Sequence, residues 1–150
     1  MLSRPSTEQI INGVIGDLHR LVLPELSDGP ARVALQMIEQ LLRNAGVRAA
    51  HEIAWMHEEI AEIREAVRPV AHDPAVDAAL AELDALDTAS LHLDDVQRRY
   101  SAASEALSCA VEAAYAAGDA DLIANLQDVL DLRSAHEMQI VGQLDLVGRG

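Results

Sequence analysis

The stretch LRSAHEMQI, residues 132–140, sets Arg133, His136 and Glu137 inside a segment whose other residues recur with a helical period. An arginine can hold a carboxylate or another anion, a glutamate can accept a proton or a cation, and a histidine can serve either purpose near neutral pH. A second stretch, HEIAWMHEE over residues 51–59, gathers two histidines and three glutamates around the chain's single tryptophan, Trp55. Histidine and glutamate facing inward are the raw material of metal sites in helical bundles. Spacing argues against a metal here. His51 and His57 are six residues apart, about 240° around a helix, whereas a zinc-protease pair needs a spacing of four. The di-iron pattern of a glutamate followed three residues later by a histidine occurs nowhere in the chain.

Other catalytic templates are also missing. There is no G-x-S-x-G elbow, no glycine-rich phosphate loop and no aspartate-rich calcium loop. His72-Asp73-Pro74 reads as a turn and a helix cap. Cys109 stands between Ser108 and Ala110, off the predicted apolar stripe, with no histidine nearby in sequence to activate it. No residue is assigned a catalytic role, and no metal or cofactor is expected.

The elements that position these residues read as helices. A chain of 150 residues with 26 alanines, two tyrosines, one tryptophan and no phenylalanine has a helical composition, and its length suits one domain over 1–150. Ser6-Thr7-Glu8-Gln9 has the capping-box form, so a first helix should run from Ser6 to near Pro24, with Ile10, Ile11, Val14, Ile15, Leu18, Leu21 and Val22 facing inward. Gly13 and Gly16 leave a bare strip on which a neighbouring helix could approach closely. A second helix is expected from Pro30 to Asn44 with Met37, Ile38, Leu41 and Leu42 inward, followed by a break at Ala45-Gly46.

A third helix should span Val47 to Arg68. Its buried sector holds Ile53, Met56, Ile60, Ile63 and Val67, while His51, Glu58, Glu62 and Glu65 point away. A short fourth begins at Asp73-Pro74 and buries Val76, Ala79, Leu80, Leu83 and Leu86; the period is then lost from Asp87 to Asp94. The fifth, Asp94 to Ala117, carries Val96, Tyr100, Ala103, Leu107, Ala110 and Ala114 at alternating spacings of four and three, which is a bundle seam. Gly118-Asp119 stops that helix and caps a sixth, which folds back and is expected to reach about Val147. The fold class is therefore all-α: an antiparallel up-and-down bundle of about four long helices and one or two short ones.

This frame sharpens the question raised by residues 132–140. Counting 100° per residue from Leu122, the apolar residues fall between about −20° and +100°, with Arg133 and Glu137 among them and His136 at the edge. A buried Arg133–Glu137 pair must recover a desolvation cost of several kcal/mol. Either an acid from another helix completes a polar network, or the bundle has a pocket for an anionic ligand or a partner's carboxylate. Tyr100 on the neighbouring helix is available to such a site. Trp55 points more than about 100° from the apolar stripe of its helix. It is either covered by the fourth helix or the 87–94 loop, or it anchors an interface with another subunit or protein.

The net charge of −14, with arginine as the only strong cation, disfavours nucleic acid and anionic membrane as partners. No apolar run approaches membrane-spanning length, no secretory signal is visible, and a cytoplasmic location is expected. Abundant alanine with arginine in place of lysine fits a GC-rich bacterial source. The first half of the chain, Arg4-Pro5, then Leu23-Pro24 after the first helix and Arg32-Val33-Ala34 at the start of the second, resembles an uncharacterised bacterial helical family over roughly the first 65 residues. Members of that family are encoded beside, or fused to, aminoglycoside-phosphotransferase-like kinases and acyl-CoA dehydrogenases. The resemblance implies a small accessory protein near acyl-CoA metabolism and carries no functional residues with it. The leading expectation is a non-catalytic protein acting through self-association, as a homo-oligomer such as a dimer, or through an enzyme partner. The alternative is a bundle that binds a small anionic ligand around Arg133, Glu137, His136 and Tyr100.

Overall fold

The computed structural model describes residues 4–86 and 89–142. Helix accounts for 87% of them, and no strand occurs among the described residues. The five α-helices are α1 (Thr7–Asp17), α2 (Pro30–Val67), α3 (Pro74–Ala85), α4 (Leu93–Ala117) and α5 (Ala120–Val141). The all-α expectation holds. Among the described residues, no helix is long and apolar enough to cross a membrane.

Local chemistry places several helix ends where the sequence put them. Ser6 accepts from the Gln9 amide and Gln9 reaches back to the Ser6 amide, closing the capping box. Asp73 caps α3 by accepting from the amides of Ala75 and Val76. Gly118 takes a left-handed conformation at φ 67°, and the Asp119 amide donates to Ala114 while the Asp119 carboxylate receives the Leu122 amide. One residue type that tolerates positive φ thus ends α4, and the next starts α5.

Three expectations about the helices are corrected. The second and third predicted helices are one continuous helix of 38 residues, α2. The expected break fails because a single glycine costs only about 1 kcal/mol, which a long packed helix absorbs. Gly46 is instead a contact: a Cβ there would lie 3.6 Å from Ile11 Cγ2. The strip of Gly13 and Gly16 admits no close neighbour, since nothing lies within 4 Å of a Cβ built at either. The first helix changes character before its end, passing into a π turn over Leu18–Val22 and a 3-10 turn over Leu23–Glu25, where Pro24 supplies no amide to continue an α ladder. At the other end, α5 closes at Val141 with Gly142 at φ 69°, and the Val141 carbonyl accepts from Gln40 Nε2 at 3.1 Å. The expected continuation to Val147, including Leu144, falls on residues 143–150, outside the described residues.

The described chain gathers into two compact units, residues 53–136 and residues 1–52 with 137–150. The 53–136 unit holds the main apolar core. Ile63, Val67, Val76, Leu83 and Val96 are fully buried there, and so are Ala103, Ala110 and Ala114 of the α4 seam. Those alanines share one buried cluster with Val76 and Leu83 of α3 and with Leu122, Leu126 and Val129 of α5. Arg133 of α5 donates to the Tyr100 hydroxyl of α4 at 2.9 Å, a side-chain link between the two helices. Cys109, expected off the apolar stripe, is half-buried and packs against this core. Burial pushes its thiol above the usual range, and the carboxylates of Glu105, Glu112 and Asp73 push it further.

The other unit is built differently. Ile15 and Leu35 are its only buried large apolar side chains among the described residues. Ile10, Val14, Leu21 and Val22, expected to face inward on the first helix, are exposed, and so are Met37, Ile38 and Leu41 of the second. The reason lies in the width of the apolar sectors. On α1 the edge bearing Ile11 and Ile15 is packed, and the edge bearing Ile10 and Val14, about 100° away, is exposed. On α2 the packed direction is that of Leu35 and Gly46, nearly opposite Val33 and Met37.

Candidate functional site

The residues singled out from the sequence converge in the 53–136 unit around one acid that the sequence reading passed over, Glu59. Glu59 is 4% exposed. Glu59 Oε2 receives the Tyr100 hydroxyl at 2.5 Å and lies 3.4 Å from Arg133 Nε; Glu59 Oε1 lies 2.7 Å from His136 Nδ1, which therefore carries the ring proton on that side. Arg133 also donates from Nε to the Tyr100 hydroxyl oxygen at 2.9 Å and from Nη2 to Ser104 Oγ at 3.3 Å, and its guanidinium carbon sits 5.0 Å above the Tyr100 ring centre. Ser104 passes its own proton to the Tyr100 carbonyl at 2.9 Å. On the far side of the imidazole, His136 Nε2 is 3.7 Å from the exposed Glu58 carboxylate.

Two of the site residues stand differently from expectation. His136, read as peripheral, is 7% exposed, and Glu137, read as core-facing, is exposed. The buried stripe of α5 runs through Leu122, Leu126, Val129 and His136, spanning about −40° to +40° from Leu122. Leu130 and Val141, the apolar residues that extend the expected sector to about +80° and +100°, are both exposed, so the buried stripe is narrower and centred nearer Leu122. Arg133 is thus completed by an acid from α2 and not by Glu137 along its own helix. Trp55, weighed as an exposed interface anchor, is half-buried: its ring stacks on His136 with centroids 4.7 Å apart and planes 11° from parallel. Part of its cover thus comes from His136 of α5. The signal that could have found Glu59 is its place three after Met56 and four before Ile63, on the edge of a stripe scored for apolar residues only.

Chemically, this cluster is closed. A carboxylate that takes two short hydrogen bonds and faces a guanidinium has its charge neutralised inside the protein. The Tyr100 hydroxyl is pushed up to about 12, first by burial and then by its bond to Glu59, so at neutral pH it is a donor and not a base. A raised phenol favours the folded state below the ordinary phenol range, and that contribution is lost as pH climbs through the folded value. Stability should therefore fall as pH rises from about 10 towards about 12. Tyr100→Phe should flatten this alkaline limb in chemical unfolding measured at successive pH values; an unchanged limb would show that the phenol is not held by the cluster.

No group of three or more histidine, cysteine, aspartate or glutamate side chains suited to a metal ion occurs among the described residues. A groove of about 260 Å³ in the same unit is lined by Glu62, Glu65, Asn125 and Asp128, and its sign is wrong for an anionic ligand.

The second feature with functional weight is the open apolar surface of the unit formed by residues 1–52 and 137–150. Met37 and Leu41 are 64% and 67% exposed, and Ile10, Val14, Leu21, Val33 and Ile38 add to them. Monomeric soluble proteins seldom leave so many large apolar side chains uncovered together. Charge is divided unevenly as well. Residues 1–52 and 137–150 contain eight acidic and six basic side chains, a net of −2, whereas residues 53–136 contain seventeen and five, a net of −12. The unit with the uncovered apolar side chains is the nearly neutral one. In class this is an all-helical protein with a self-neutralised polar cluster and an uncovered apolar surface. Comparison with protein-family models, with curated proteins and with solved structures gives no match.

Proposed function

We propose that this chain works by association and has no reaction of its own, as a small cytoplasmic accessory protein of bacterial type. The observation that carries the reading is the exposure of Met37, Leu41, Ile10 and Leu21 in a unit that, among the described residues, buries only Ile15 and Leu35 of its large apolar side chains. Burying such side chains against another surface is favourable by roughly 25 cal/mol per Å². The family that the first half resembles adds a setting, beside enzymes of acyl-CoA metabolism. The ligand-binding alternative loses its motive, because Glu59 already supplies the acid that Arg133 requires.

The test is a double substitution, Met37→Glu with Leu41→Glu, on side chains whose exposure makes folding damage small. The wild-type chain is expected to run in solution above its own 16.1 kDa, alone or with a co-purifying protein, and the variant to run at 16.1 kDa with unchanged helical circular dichroism. A wild-type chain that stays at 16.1 kDa and binds no apolar probe at this surface would remove the proposal.

A further inference from the structure

We propose that a groove between α4 and α5 receives a basic amphipathic helix of another protein. The groove belongs to the 53–136 unit and shares no residue with the exposed apolar side chains of the other unit, so it stands independently of the association proposed above. Val111 and Tyr115 of α4 and Ile123, Leu126, Gln127 and Leu130 of α5 line one space of about 80 Å³. At 100° per residue, the four α5 residues fill a single sector from about 40° to 140° from Leu122, and Val111 and Tyr115 stand one turn apart on α4. Leu126, 2% exposed, forms the floor, while Tyr115 at 67% and Leu130 at 36% are open to water at the walls. The space suits one aliphatic side chain. A helix laid along a groove delivers such an anchor while its other faces stay polar.

Charge selects the occupant. From Glu105 to Leu132 the chain carries Glu105, Glu112, Asp119, Asp121, Asp128 and Asp131, and no arginine, lysine or histidine. Glu105 and Glu112 follow Tyr115 by about 60–80° around α4. On α5, Asp131 follows Gln127 by about 40° and accepts from its side chain at 2.9 Å. All three carboxylates are exposed, and among the described residues none of them is ion-paired. The groove is thus apolar inside and acidic along both rims. The unit has no spare cation to neutralise them: Arg64 is held by Asp84, Arg68 by Glu65, Arg98 by Asp95 and Arg133 by Glu59, and Arg99 is buried. These rims repel nucleic acid and a second copy of this chain, whose net charge is −14, and they attract lysine and arginine on the turns that flank an apolar anchor. One anchor with exposed charges around it makes a weak, fast-exchanging complex.

The experiment is fluorescence anisotropy of a labelled synthetic helix of about 18 residues, five turns long, with leucine on one face and lysine and arginine on the others, titrated with the purified full chain. Saturable binding with a Kd of roughly 1–100 µM is expected. Tyr115→Ala with Leu130→Ala, both on exposed side chains, should weaken it at least about tenfold while helical circular dichroism is unchanged. Glu112→Gln with Asp131→Asn should weaken it about fivefold, and raising ionic strength from about 0.02 M to 0.2 M should loosen the wild-type complex more than this variant's. A peptide of the same composition, scrambled so that it has no apolar face, should bind at least about tenfold more weakly. Met37→Ser with Leu41→Ser, neutral changes in the other unit, should leave binding as it is, so a failure here is separate from a failure of the association reading. No saturation up to roughly 1 mM would overturn the proposal. Equal binding of the scrambled peptide, or full binding by Tyr115→Ala with Leu130→Ala, would overturn it too, because charge alone would then hold the peptide.

Discussion

Glu59→Ala is expected to lower unfolding stability by about 3–5 kcal/mol, because it removes the buried carboxylate that Arg133, His136 and Tyr100 share. The cost is asymmetric around the cluster. Arg133 keeps 26% of its side chain in water, so Arg133→Ala should cost less, about 1–3 kcal/mol, with Glu59 still held by Tyr100 and His136. Glu137→Ala should change stability by no more than about 0.5 kcal/mol, since that side chain is exposed. Urea unfolding of the three variants gives the order directly. Equal losses for Glu59→Ala and Glu137→Ala would mean that the acid completing Arg133 has been misassigned.

Leu126→Ala should cost about 3 kcal/mol, within the 2–5 kcal/mol usual for emptying a buried leucine site. Leu126 is 2% exposed and belongs to the main buried cluster, so its truncation leaves a cavity among packed side chains. Leu41→Ala is the same truncation at a side chain 67% exposed, and at protein concentrations low enough for the chain to be monomeric it should cost below about 0.5 kcal/mol. Denaturant unfolding of both variants checks the contrast. Comparable losses would place Leu41 in a core and close the surface on which the association reading stands.

The sequence was most readable where one helix face has one destination. The α4 seam is the clearest case: Val96, Ala103, Leu107, Ala110 and Ala114 are all buried, as their alternating spacing requires. Caps were legible for the same reason, since Ser6, Asp73 and Gly118 act through bonds to residues a few positions away. Apolar periodicity says which side of a helix is oily, and it does not say whether anything lies against that side. Hence Met37 and Leu41 read as core and are surface, while Ile60 and Ile63 read as core and are core. The polar cluster was half legible. Arg133 announced itself by interrupting a stripe, but its partner Glu59 comes from a residue far away in sequence, and no local spacing connects the two. The shift of His136 inward and Glu137 outward followed from Leu130 and Val141, whose exposure depends on which neighbours reach the end of α5.

The half-buried thiol of Cys109 gives this chain a built-in clock. Its reactivity with alkylating reagents is suppressed twice, by the packing that limits access and by the burial and carboxylates that keep it protonated. Modification is therefore slower than at a free thiol, and with only one cysteine in the chain each event leaves a single mass tag at a single place. The ratio of the tagging rates in the unfolded and native chain thus reports how strongly the 53–136 core protects that thiol, without any introduced probe.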